Sequence, residues 1–125
     1  MVKFRFFSKD EDTGFSCQCG CGLGFDDMDL EFMLRLEDAR HQAGVPFKIT
    51  SGARCPKHNS KVSTTGLTGP HTELCAVDLA ATDSRNRFII VESLIKHGFT
   101  RIGIAKTFIH VDSSKTKDPK VIWFY

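Results

Sequence analysis

Apolar residues at Phe32, Leu36, Ala39 and Ala43 recur every three or four positions, which predicts a helix from about Asp29 to Ala43 with one buried stripe. Asp29 is a good N-cap, because its carboxylate can accept from a free first-turn N–H, and Gly44 supplies the stop. A second pattern of this kind begins at Asp83 or Ser84 and runs to about His97, with Phe88, Val91, Leu94 and Ile95 expected inward and Gly98 at the end. Val45 to Thr50 reads as a strand, and Ala76-Val77-Asp78-Leu79-Ala80 as a short buried one, with Asp78 on the face of the small residues Ala76 and Ala80. Arg101 to Ala105 and Phe108 to Asp112 read as a hairpin, where alternation puts Phe108, His110 and Asp112 on one face and Ile109 and Val111 on the other. Residues 1–27 look like a strand-like, Phe-rich start followed by a Gly/Cys loop, and residues 54–69 like a long polar loop whose length marks it as functional. Helices and an antiparallel sheet in separate layers make an α+β fold, with the helices on one side. The 125 residues are expected to form a single domain, 1–27 as its start and 28–125 as its core, and a monomer.

Composition changes this picture little. A chain that is 41% hydrophobic and 26% charged is ordinary for a globular protein, and a formal charge of +2 is too small to argue for nucleic acid as a partner. No stretch is long and apolar enough to cross a membrane, so no membrane span is expected. The start, Met-Val-Lys-Phe-Arg-Phe-Phe-Ser-Lys-Asp, has a basic residue but neither the apolar core nor the small-residue cleavage site of a secretory signal. Synthesis in the cytoplasm is the expectation.

The candidate chemistry lies on the strands. His71 stands before the apolar run that carries Asp78, and His110 lies on a later run. A carboxylate in the middle of an apolar strand calls for a cation or a hydrogen-bond network. Taken singly, each of the three residues is more readily read as structural than as functional. Together they offer two imidazole nitrogens and one carboxylate oxygen, a donor set that suits Zn²⁺ and leaves a fourth position for water. An open position on zinc points to metal-assisted hydrolysis.

Upstream lies Ile49-Thr50-Ser51-Gly52-Ala53-Arg54, followed by Cys-Pro-Lys-His58-Asn59. Ser-Gly-x-Arg, then His-x6-Asp, then a strand His-x-Asp, in this order, resembles the zinc D-alanyl-D-alanine carboxypeptidase family, which includes phage endolysins that cut peptidoglycan stem peptides. The resemblance runs from about Met28 to the closing Val-Ile-Trp-Phe-Tyr. It implies the hedgehog/DD-peptidase fold, zinc ligation by His71, Asp78 and His110, and an Arg54 that contacts a substrate carboxylate or the oxyanion. Ser51 and His58, beside Arg54, are expected to touch the peptide substrate. The family pattern Ser-x-His-x-x-Gly-x-Ala-x-Asp is altered here, with Gly69 in place of the serine and Leu74 in place of the glycine. Many relatives carry a base just before the last zinc histidine, but Arg101 to Ile109 holds no carboxylate and no histidine. Asp112, on the strand face of His110, is therefore the expected general base, with Glu73 as the other candidate. A wall substrate would be reached after release through a phage-made membrane lesion.

Five cysteines remain. Without a secretion signal, reduced thiols are expected. The alternative is a second, structural zinc site drawn from Cys17, Cys19, Cys21 and Cys55, against which stands the departure of Cys-x-Cys-x-Cys from the usual Cys-x2-Cys knuckle. Cys75 is expected to point away from the metal. Two other function classes deserve comparison. A zinc-bearing binding module of the hedgehog type shares the fold and metal without the activity. A zinc nucleobase deaminase, hinted at by His71-Thr-Glu73, requires a downstream Pro-Cys-x-x-Cys that the chain lacks.

Overall fold

The computed structural model describes residues 3–125, so the first two positions of the Phe-rich start lie outside it. Helix α1 (Leu30–Ala43) begins where expected: the Asp29 carboxylate accepts from Phe32 N–H at 3.0 Å, and Gly44 closes the helix at φ 70°. Helix α3 (Ser84–Lys96) is capped by Asp83, which accepts from Asn86 N–H at 2.9 Å. Between them lie strand β1 (Ile49–Ser51), the short helix α2 (Pro56–Val62) and strand β2 (Ala76–Ala80). Strands β3 (Arg101–Ile104), β4 (Phe108–Asp112) and β5 (Val121–Phe124) follow α3. Among the described residues, no helix is long and apolar enough to cross a membrane.

The five strands form one sheet in the order β1-β2-β4-β3-β5. All neighbours pair antiparallel except β3 and β5, which run parallel, so the sheet is mixed rather than wholly antiparallel. The parallel pair needs no long crossover. β5 runs antiparallel to β4, from which the chain comes, so a connection along one end of the sheet suffices. One sheet face carries Val77, Leu79, Ile102, Ile109 and Val111, which join Phe32, Leu36, Ile90 and Leu94 of the two long helices in the core. This is an α+β architecture with α1 and α3 packed on one side of the sheet.

Three details differ from the sequence pattern. No strand occurs among residues 3–27, where two 3₁₀ turns, Thr13–Phe15 and Phe25–Asp27, take its place. Their phenylalanines pack edge to face, Phe7 on Phe15 and Phe15 on Phe25, which secures the segment without sheet pairing. Helix α2 lies inside the expected loop; Pro56 at its first turn has the fixed φ that a helix start accepts. On α3 the buried stripe is Ile90 and Leu94, with Val91 packed at its side, whereas Phe88 and Ile95 are 66% and 52% exposed. That helix carries two adjoining apolar stripes, and periodicity alone does not say which one meets the sheet.

Candidate metal centre and cavity

The opposite face of the sheet is where the chemistry gathers. Register aligns Ser51, Asp78, His110, Gly103 and Trp123 in one row across all five strands. The next row holds Ala76, Asp112, Arg101 and Val121. A two-residue repeat along each strand and a direct pairing across it bring distant residues onto one patch. His71 joins from the turn before β2, where its ring Nδ1 donates to the Gly52 carbonyl at 2.7 Å.

The metal-ligating atoms converge. His71 Nε2 lies 3.4 Å and His110 Nδ1 2.9 Å from Asp78 Oδ1. Ligand atoms of all three residues fall within 4.8 Å of one another. Donors around a tetrahedral zinc at about 2.1 Å stand roughly 3.4 Å apart, so the cluster has the dimensions of a metal site. The two rings are also oriented for ligation. A carbonyl can only accept, so His71 carries its proton on Nδ1 and turns the Nε2 lone pair to the cluster. His110 Nε2 faces Asp112 Oδ2 at 2.7 Å, the arrangement in which a carboxylate fixes the tautomer of a metal-binding histidine.

Electrostatics follow from these contacts. Burial alone would raise the Asp78 pKa, but the adjoining imidazoles of His110 and His71 outweigh it and hold the carboxyl well below the usual carboxylate range. Asp112 behaves likewise, its burial outweighed by His110, the Ser114 N–H and Arg101. Burial would lower the His110 pKa, yet the bonds to Asp112 and Asp78 raise it above that of an ordinary imidazole.

Asp112 has no exposed surface, and both oxygens are engaged: Oδ2 by His110, Oδ1 by Arg101 Nε at 2.7 Å and Ser114 N–H at 2.9 Å. It stands behind His110 as seen from the metal cluster. Glu73 accepts from Ser114 Oγ at 2.9 Å and from Lys115 N–H, and so ties its turn to the β4–β5 connection instead of lining the cavity.

A cavity of about 450 Å³ opens over the cluster, bordered by Arg54, Asn59, Arg101, Lys117, Trp123 and Tyr125 among others. Arg54 is aimed by its neighbours. Its Nη1 donates to Asn59 Oδ1 at 3.2 Å, its Nη2 to Ser51 Oγ at 3.1 Å, and the same Nη2 lies 3.9 Å from Asp78 Oδ2. Ser51 thus holds the guanidinium from below. His58 does not border this cavity; it sits half-buried in the hollow lined by Cys19, Cys21 and Cys55 on the other side of α2's first turn. The cysteines Cys17, Cys19, Cys21 and Cys55 form a second group of converging ligand atoms, none at disulfide distance, while Cys75 is buried with its thiol toward the Pro70 carbonyl.

Sequence reasoning did not single out Asn59, Arg101, Trp123 or Tyr125. Buried Asn59 donates to Thr65 Oγ1 at 2.7 Å and the Gly66 carbonyl at 2.8 Å while accepting from Arg54, so one amide organises both the loop after α2 and the arginine. Arg101 reaches the site through strand register, stacking over Trp123 at 5.1 Å while it holds Asp112. Trp123 in turn lies 5.5 Å from the His110 ring.

Comparison with known proteins agrees with this geometry. A family model described as Peptidase M15 matches residues 9–112, from the first 3₁₀ turn region to the end of β4. Searches of curated proteins and of solved structures gave no match.

Proposed function

The chain belongs to the peptidase M15 family, and from that premise we propose that it is a zinc-dependent peptidase hydrolysing peptide bonds in peptidoglycan stem peptides. The observation that carries the reading is the convergence of His71 Nε2, His110 Nδ1 and Asp78 at the floor of an arginine-lined cavity. Zinc held by these three residues would supply Lewis-acid chemistry, lowering the pKa of a water and polarising a carbonyl. The chain's own residues supply charge and positioning. Arg54, fixed by Ser51 and Asn59, presents guanidinium N–H groups to a substrate carboxylate or to the oxyanion that develops at the scissile carbonyl. Arg101 and Lys117 add positive charge to the cavity wall. Asp112 acts as a positioning residue, holding the His110 proton on Nε2, and not as the general base. The peptide's side chains would lie along Trp123 and Tyr125, whose rings border the opening. Action on the wall outside the cytoplasm, after phage-made release, belongs to the same proposal.

A second reading draws on the cavity wall. Of its two carboxylates, Asp78 belongs to the metal cluster and Asp112 is wholly engaged, as in a zinc-bearing module that binds peptides without cutting them. One experiment separates the two. Stem peptides ending in D-Ala-D-Ala, and cross-linked muropeptides, are incubated with zinc-loaded protein and the products read by mass spectrometry. Cleavage that chelator abolishes and zinc restores supports the peptidase. Saturable peptide binding without cleavage supports the module, and neither would defeat both. In the peptidase, Arg54→Lys should keep fold and zinc but lose about 2–4 kcal/mol of transition-state stabilisation; unchanged kcat/KM would reduce Arg54 to a structural part.

A further inference from the structure

We propose that Cys17, Cys19, Cys21 and Cys55 bind a second, structural zinc ion that clamps the N-terminal segment to the arginine-bearing segment of the cavity. The sulfur geometry carries the inference. Sγ–Sγ separations are 3.4 Å for Cys17–Cys19, 3.6 Å for Cys19–Cys55 and 3.9 Å for Cys17–Cys55, and Cys21 lies within 4.8 Å of the others. A disulfide needs about 2.05 Å. Four thiolates around one tetrahedral zinc, at about 2.3 Å each, stand roughly 3.8 Å apart. The three separations among Cys17, Cys19 and Cys55 match that spacing, and Cys21 stands close enough to complete the set.

The backbone is shaped for it. Gly20 at φ 79° takes a left-handed turn inside the five-residue stretch that lets its three cysteines curl to one point, which offsets the unusual Cys-x-Cys-x-Cys spacing, and Gly22 at φ 96° turns the chain just beyond it. Cys17 N–H donates to the Leu23 carbonyl at 2.8 Å and closes that loop. Two main-chain N–H groups point at sulfur, Cys55 N–H to Cys17 Sγ and His58 N–H to Cys55 Sγ, each at 3.4 Å. Four thiolates around one dication leave about two negative charges, and Lys57 and Lys61 line the same hollow. The clamp has a rigid seat. Ala53 N–H donates to the Phe15 carbonyl at 2.9 Å, and a Cβ on Gly52 would come within 2.8 Å of the Phe15 main chain. Cys55 follows Arg54 directly, so the ion would hold the segment on which Arg54 and the Gly52 carbonyl depend.

The inference stands apart from the peptidase reading and is tested by metal and thiol counts. Protein purified under reducing conditions without chelator should carry two zinc ions per chain. Cys19→Ser/Cys21→Ser should lose one and His71→Ala the other, each independently. After cobalt exchange, an intense sulfur-to-cobalt charge-transfer band should persist in His71→Ala and vanish in the cysteine variant. In the unaltered protein, a thiol reagent should modify the exposed Cys19 and Cys21 slowly while metal is present and rapidly after chelation. That measurement decides the matter if the cysteine variant fails to fold. One zinc per chain indifferent to the cysteine changes, no charge-transfer band, iron in place of zinc, or fast modification of metal-loaded protein would each overturn the proposal.

Discussion

Asp112 shows how much a single side chain's surroundings decide. As a strand neighbour of His110 it has the address of a general base, but a base needs an oxygen open to the reacting water, and its oxygens are buried and bonded to His110, Arg101 and Ser114. Asp112→Asn keeps the shape and removes the charge that secures the His110 tautomer. Zinc affinity at the His71/Asp78/His110 site should fall by about tenfold or more, with turnover at saturating zinc largely preserved. Competition with a chromophoric chelator and a zinc-saturated rate measurement on one variant check this; normal affinity with turnover down by about 10² would return the base role to Asp112. Leu74 is a second instance. It occupies φ 63°, a left-handed conformation that disfavours a Cβ, at the position where the resembled family has glycine. In ordinary positions alanine is more stable than glycine, but here the order should reverse. Leu74→Gly should be more stable than Leu74→Ala by about 1 kcal/mol in urea unfolding, and the usual order would show that the turn relaxes without strain.

Elements with their own periodicity were legible in the chain: α1 with its Asp29 cap, β2 and β4 with their alternation, and the three metal-cluster residues that two of those strands carry or adjoin. What stayed hidden depends on pairing between distant segments. β5 alternates, with Val121 and Trp123 the less exposed, yet nothing local says that it lies parallel beside β3 and completes the row Asp78-His110-Gly103-Trp123. For the same reason Arg101 went unnoticed, and α2, with no apolar stripe, read as loop. Gly103 is the hinge of that hidden pairing. A Cβ there would stand 2.6 Å from Trp123 Nε1 and 2.8 Å from Tyr125 Cε2, so only glycine lets Trp123 lie across the strand toward His110. Gly103→Ala should cost about 1–3 kcal/mol through overpacking and shift the emission of Trp123, the chain's single tryptophan, toward the solvent-exposed wavelength. Unchanged emission and stability would mean that β5 yields without loss.

Across the whole molecule the sheet divides labour between its faces. The helix-covered face buries the apolar core, and the other carries His110, Asp78 and Asp112, whose mutual bonds satisfy them without a metal. The His71/Asp78/His110 ion should therefore contribute stability by mass action alone, about 2.7 kcal/mol at a hundredfold excess of free zinc over Kd. The proposed cysteine ion would have a different place, tying the first segment to the Arg54 segment through four thiolates, the tighter donor set for zinc. Stepwise chelation should then proceed in two stages. The first removes one zinc per chain, lowers Tm and leaves far-UV circular dichroism and resistance to proteolysis intact. The second removes the other zinc and opens the stretch around Cys17 to Cys21 to limited proteolysis, while the α1–α3–sheet core, which includes none of Cys17, Cys19, Cys21 and Cys55, keeps its helical signal. Zinc release, peptide mapping of the cleavage products and circular dichroism on one titration follow both stages. Loss of both ions and of all secondary structure in a single step would show that the core depends on a metal after all.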